Sequence, residues 1–359
     1  MKTTVMDYIT WRGDLRFKQS KFNEIDNIIF SMLTFLDFSK TFEEAKNTYP
    51  TLSTSIDTFF REYDYKTYKF GLIIPNNIKD LAKAIQKTKR FGNVLLLDYE
   101  KYINHEDRTQ FCAVTYLLDD SSVVVAFQGT DDTLAGWYEN FNMAIVNETI
   151  AQKKAKKYLN RIGNTFQNKK IYVCGHSKGG NLAYYSSMFA KDEIKERIIK
   201  IYNNDGPGLL YDRYPDAKAK IIDEKGITIV PNSTIIGAIF EQRGEIEIIS
   251  SKAKNLYQHD PFQLVVEGKN FIKLDKFTNS SLKIKKEIQK LLLSLTKEEI
   301  HYVITSVYEA LYKQNKRTLL DLKKSDSNIF KSLVKIVKDD KKVIKQFIKI
   351  LISNNVFIK

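Results

Sequence analysis

The sequence predicts an α/β fold, a largely parallel central sheet with helices on both faces, preceded by helices and followed by a helical C-terminal segment. Two observations carry this. From about residue 94, β-branched and aromatic runs alternate with helical stretches. On either side, at 1–92 and 281–359, apolar residues recur at helical spacing.

In chain order, NEIDNIIFSMLTFLDF (23–38) and NIKDLAKAIQKTKRFG (77–92) are helical, the second ending on the helix-stopping Gly92. FCAVTYLLDD and SSVVVAFQGT (111–130) meet at the turn residues DDSS and form a hairpin. A helix follows, AQKKAKKYLNRIGNTF (151–166), then the strand IYVC (171–174), a glycine cluster and the helix NLAYYSSMFA (181–190). IIKIYNN (198–204) is a strand ending at DGPG, and KGITIV (225–230) and EIEIIS (245–250) are two more. SSLK, near residue 280, marks the expected boundary. Residues 1–280 form one domain, with 1–92 its mainly helical part, and 281–359 form a Lys-rich helical segment.

At 359 residues, 43% hydrophobic and 12% aromatic, the chain can bury a sizeable core. The net charge of +14 invites a nucleic-acid partner, but residues 281–359 hold 18 Lys and Arg against 8 Asp and Glu, so most of the surplus sits on one amphipathic segment. No helix-turn-helix, RNA-binding or zinc pattern accompanies it, and no nucleic acid is expected. Cys112 and Cys174 are too few for a disulfide framework. No apolar run reaches the length of a membrane span, and MKTTVMDYITWRGDLRF lacks the apolar centre of a signal peptide. The expectation is a cytoplasmic protein without metal or cofactor.

The cluster VCGHSKGGNLA (173–183) raises the question of function. A phosphate loop needs G-x-x-x-x-G-K-[ST], but Lys178 precedes Gly179 and Asn181 stands where Ser or Thr should be. Gly175-His176-Ser177-Lys178-Gly179 fits G-x-S-x-G instead, between a strand and a helix. In such a nucleophile elbow the serine sits in a strained turn, and side chains two residues to either side would collide. The elbow lifts its hydroxyl over a helix N-terminus, which favours developing negative charge. This is the α/β-hydrolase arrangement.

A serine nucleophile needs a base, and there are four histidines. His176 adjoins the serine and points elsewhere, so it is expected to pack beside the sheet. His105, in NHEDR, is expected to be exposed, and His301 to lie on a helix surface. His259, in KNLYQHDPF after the last strand, occupies the base's place in the order Ser…Asp/Glu…His. The acid falls between them. Asp205, directly after a strand in NNDGPG, is the best candidate. The loop after the next strand, IVPNST, offers only Asn232 and Ser233, and Asp260 is too near His259 in sequence to reach its Nδ1. For the oxyanion hole the backbone N–H of Lys178 is one donor. Gly129-Thr130, ending a strand, offers the second through the Thr130 N–H and hydroxyl.

FQGT followed by Trp137, with GHSKGGNLA, resembles class 3 lipases, whose stretches read roughly FRGT…W and GHSLGGALA. DYITWRGDLRF, FNEIDNIIFSML, GHSKGGNLAYY, NNDGPG, IVPNSTIIG and QHDPF resemble, more closely, a bacterial family of α/β-hydrolase relatives known as Mbeg-like. The likeness runs from about residue 6 to 320. It implies Ser177 as nucleophile, His259 as base, and Thr130 and Lys178 as oxyanion donors; the departure from the lipases is the missing acid after IVPNS.

Two functions are therefore expected. One is a serine hydrolase of small-molecule or lipid acyl esters, working through an acyl-enzyme. The other is an inactive α/β-hydrolase scaffold that binds a ligand or partner. In the C-terminal segment, LKIKKEIQKLLLSL and FKSLVKIVKDDKKVIKQFIKILI place lysines between apolar residues at helical spacing. These helices either pack on the hydrolase domain or lie on an anionic membrane.

Overall fold

The computed structural model describes residues 2–46, 48–294 and 296–321. The stretch FKSLVKIVKDDKKVIKQFIKILI lies outside the described residues. Helices α1 (Val5–Arg12), α2 (Glu24–Leu33), α3 (Ser39–Ala45), α4 (Leu52–Glu62) and α5 (Ile78–Gln86) come first. Then follow β1 (Leu95–Asn104), β2 (Thr109–Leu117), β3 (Val123–Phe127), α6 (Leu134–Ile145), α7 (Ile150–Thr165), β4 (Ile171–His176), α8 (Lys178–Met188) and α9 (Asp192–Lys195). The chain continues through β5 (Ile198–Asn204), α10 (Asp216–Lys225), β6 (Gly226–Pro231) and β7 (Glu245–Ile249). A small hairpin, β8 (Val266–Glu267) and β9 (Asn270–Phe271), precedes α11 (Asn279–Ser294) and α12 (Lys297–Lys313).

The seven main strands lie side by side in chain order. β1, β2 and β3 pair antiparallel, and β3 through β7 run parallel. The expected hairpin is β2–β3, closed at Leu117 opposite Val123. A sheet built in chain order has its right-handed crossovers on one side. Accordingly Ala155, Leu159, Leu182 and Ile222 from α7, α8 and α10 share one core with Val123, Val125, Ile171, Val173 and Ile201. Alternate strand residues, Val124, Ala126, Tyr172, Cys174 and Tyr202, face a second core. That core is filled by the N-terminal helices, with Ile25, Ile28, Ile29, Leu81 and Ile85.

Burying the N-terminal helices brings charge inside. Arg90 and Asp26 have fully buried side chains, and Arg90 Nε donates to Asp26 Oδ1 at 2.8 Å. Tyr8 donates its hydroxyl to the same carboxylate at 2.9 Å, and Arg90 Nη1 donates to the carbonyls of Leu15 and Ser20, both at 2.9 Å. DYITWRGDLRF and FNEIDNIIFSML thus meet around one ion pair. Removing one member strands the other, at a cost of about 3–5 kcal/mol. Asp26→Ala is expected to lose that much unfolding free energy in urea titration, and a loss below about 1 kcal/mol would contradict this account.

A second carboxylate lies where α2 meets the sheet edge. Glu24 accepts the Phe271 N–H at 2.9 Å, while Lys273 holds Glu247 at 2.5 Å. Burial, then the neighbouring Glu247 carboxylate, pushes the Glu24 pKa up to about 7 from 4.5. The folded chain therefore keeps a proton that the unfolded chain releases. The stabilisation is complete below pH 4.5 and is lost as pH rises through about 7. In Glu24→Gln, calorimetric Tm should fall less across that window than in the wild type. Parallel curves would overturn the assignment.

α12 packs on α6, with Ile304, Tyr308 and Leu311 against Leu134 and Tyr138. Its apolar face is covered by protein there. The same packing corrects the reading of His105, which is half-buried rather than exposed because Tyr308 donates its hydroxyl to the His105 carbonyl at 2.8 Å. His301 is exposed on α12, as expected. Among the described residues no helix is long and apolar enough to cross a membrane, and no three His, Cys, Asp or Glu side chains gather as metal ligands.

Candidate active site

The C-terminal ends of the parallel strands lie level. Phe127 pairs with Gly175 and His176 with Asn204, so the segments leaving β3, β4 and β5 emerge together. In open α/β sheets this edge is where ligands bind.

Ser177 leaves β4 with φ 57°, in the left-handed region that non-glycine residues avoid. The surroundings hold it there. A Cβ on Gly175 would stand 2.2 Å from the Gly179 carbonyl carbon and oxygen, and one on Gly179 would stand 2.1 Å from Phe127 O. Only glycine allows this approach of turn to strand. The Ser177 N–H donates to Asn204 O at 2.9 Å, fastening the elbow to β5. From Ile171 to Met188 every residue is buried except Ser177.

Asp205, the first residue after β5, also has positive φ, 48°. Gly206 backs onto the elbow, where an added Cβ would lie 2.2 Å from Ser177 O. Asp205 Oδ2 lies 2.7 Å from His259 Nδ1. Its other oxygen, Oδ1, accepts from the Thr234 hydroxyl and from the Gly237 N–H at 3.2 Å. The loop IVPNSTIIG, which lacks a carboxylate of its own, thus grips the one supplied by the preceding strand. The role of Thr234 and Gly237 is not visible in the sequence, where 29 and 32 residues separate them from Asp205.

His259 closes the 3-10 turn Asn255–His259 that follows β7. Its carbonyl lies 2.9 Å from His176 Nε2, and the two rings are 4.5 Å apart. Because the acceptor is a carbonyl, His176 carries its proton on Nε2. Burial, then the nearby His259, holds the His176 pKa well below the usual range, so it is a neutral donor bracing the turn. Asp260 turns away and accepts the Phe262 N–H at 3.0 Å and Gln263 Nε2 at 3.3 Å.

Gly129 abuts the elbow; a Cβ there would be 2.8 Å from His176 O and 3.4 Å from Ser177 Cβ. This brings the Gly129–Thr130 backbone beside the serine. The Thr130 hydroxyl differs from expectation, because it exchanges hydrogen bonds with the Asn140 amide at 3.0 and 2.8 Å. It anchors the loop to α6. Lys178 begins α8, and its backbone is at the helix N-terminus next to Ser177. Its side chain, unforeseen in the sequence, is buried against Gln110 and Glu139.

A mostly parallel sheet carrying a strained serine between strand and helix, at the carboxyl edge, defines an α/β-hydrolase fold. A family model described as Mbeg1-like matches residues 85–309, and the chain belongs to that family. The matched region starts within α5, so the DYITWRGDLRF and FNEIDNIIFSML motifs precede it. Among solved structures, M37 lipase is 15% identical over 62% of this chain and 71% of its own, with a TM-score of 0.41. Lip2 lipase from Yarrowia lipolytica is 10% identical over 71% of this chain and 86% of its own, with a TM-score of 0.37. No curated protein matches the chain.

Proposed function

We propose that the protein is a serine hydrolase of acyl esters. Ser177 is the nucleophile, His259 the general base and Asp205 the acid that orients it. The Lys178 and Thr130 backbone N–H groups are the oxyanion donors. The observation that carries this reading is the 2.7 Å pair of Asp205 Oδ2 and His259 Nδ1, on the same sheet edge as a serine held at positive φ.

With Nδ1–H committed to Asp205, His259 Nε2 remains to accept the serine proton. The serine oxygen attacks the acyl carbonyl carbon, and the negative charge on the carbonyl oxygen is met by the two N–H groups. The intermediate collapses as Nε2 returns the proton to the departing alcohol. Water, deprotonated by the same nitrogen, then releases the acid.

Partly buried Phe35, 3.5 Å from where a Gly129 Cβ would be, supports an apolar acyl group, as in a lipid ester. A membrane role for α12 is not part of this proposal, since α6 covers its apolar face. A fluorophosphonate probe tests the reading without knowledge of the substrate. Covalent labelling mapped to Ser177 is expected, and wild-type protein that takes up no probe would favour an inactive scaffold.

A further inference from the structure

Lys178 is 1% exposed, and its ammonium group is fully engaged. It donates to Gln110 O at 2.6 Å, to Gln110 Oε1, and to Glu139 Oε2 at 3.2 Å. Glu139, 2% exposed, also accepts the Ala151 N–H at 2.8 Å and the Gln110 N–H at 3.3 Å. Burial raises the Glu139 pKa, and Lys178 is the first influence opposing it. A cation at the first position of a helix is disfavoured by the helix dipole. A buried ion pair is also weak support for stability, since apolar replacements of equal volume often serve as well. The arrangement therefore invites an explanation beyond stability.

Gln110 supplies it. Its Nε2 donates to Gln128 Oε1 at 2.7 Å and to Gly129 O at 3.3 Å. Gly129 C=O and Thr130 N–H belong to one peptide unit, and in a trans peptide they point in opposite directions. Holding the carbonyl toward Gln110 sends the Thr130 N–H away from the buried network. The other end of the network is the side chain of Lys178, whose own N–H is the second donor in the proposed mechanism. Building on that mechanism, we infer that Lys178, Gln110 and Glu139 form a clamp that sets the orientation and spacing of the two oxyanion donors. Gln110 and Glu139 are positioning residues, and the Lys178 side chain positions what its backbone contributes.

Gln110→Met tests the clamp, because it removes the bond to Gly129 O while leaving Lys178 paired with Glu139 and with the residue 110 carbonyl. Lys178→Met combined with Glu139→Gln is the second variant, removing both charges together so that neither is stranded. Each is compared with wild type for p-nitrophenyl butyrate hydrolysis, for the second-order rate of fluorophosphonate labelling, and for thermal melting. Loss of one oxyanion donor costs about 10²–10³ in kcat. A folded variant with kcat down about 10–100-fold, KM within about threefold and labelling slowed in parallel supports the clamp. A purely structural role would shift melting and leave the kcat of the folded fraction alone. Either folded variant with wild-type kcat and labelling would overturn the clamp while leaving the hydrolase reading intact. Wild-type protein inert to both reagents would overturn the hydrolase reading and the clamp with it.

Discussion

Ser177→Ala will abolish ester hydrolysis and fluorophosphonate labelling while leaving the fold unchanged. Alanine keeps the Cβ, and the main chain stays held by Asn204 O and by the close approach of Gly175 and Gly179. The substitution removes the one side-chain oxygen that the elbow brings out of an otherwise buried segment. Without it no acyl-enzyme can form. By comparison with other serine hydrolases, kcat should fall by about 10⁴–10⁶-fold. Melting temperature within about 2 °C of wild type, far-UV circular dichroism and residual turnover together check the expectation. Labelling at the wild-type rate would show that another nucleophile reacts.

Asp205→Asn will have the next largest effect, for a reason built into the loop. Thr234 Oγ1 and Gly237 N both donate to Oδ1, so an asparagine will put its carbonyl oxygen there. Its NH₂ group is then left where Oδ2 faces His259 Nδ1. The imidazole must present a lone pair at Nδ1 and carry its proton on Nε2, the wrong tautomer for accepting the serine proton. Where the same exchange has been made in a serine protease triad, kcat fell about 10⁴-fold with the geometry intact. A similar fall in kcat with little change in KM is expected here. Turnover within tenfold of wild type would mean that His259 does not depend on Asp205.

These two experiments rest on parts of the molecule with very different visibility in the sequence. The elbow is legible because its sterics are local: Gly175 and Gly179 must be glycine, and both lie within two residues of Ser177. The strand–helix alternation is legible because β3, β4 and β5 are apolar and short. β1 escapes because LLLDYEKYIN is a half-exposed edge strand whose Asp, Glu and Lys mask the period. α10 is hard to see because its buried face is short, Ala219, Ile221 and Ile222; α6, by contrast, has a regular apolar face, Leu134, Trp137, Tyr138, Phe141 and Ile145. Chain order suffices to propose Asp205 and His259. What holds the carboxylate is invisible, because the hydroxyl and N–H that grip it come from a loop about thirty residues away. Lys178 shows the limit most plainly. Lysine beside a nucleophile reads as a solvated side chain, yet its acceptors lie 68 and 39 residues earlier. The one available signal was a cation at a helix start, where the dipole disfavours it.

The division of the sheet between two sets of helices also bears on synthesis. The helices α1 to α5 are translated before any strand of the sheet that they cover. Their apolar sides, with Ile25, Ile28, Leu81 and Ile85, find their full partner surface only when Tyr202 and Ile229 have been made. At about 5–20 residues per second the interval is on the order of ten seconds. During it the nascent chain presents an unpaired greasy surface, and a ribosome-associated chaperone would have that long to engage it. The crossover helices face no such wait, since each is made between the two strands it spans. A ribosome stalled near residue 100 should thus carry a protease-sensitive N-terminal segment, and one stalled beyond residue 260 a resistant one.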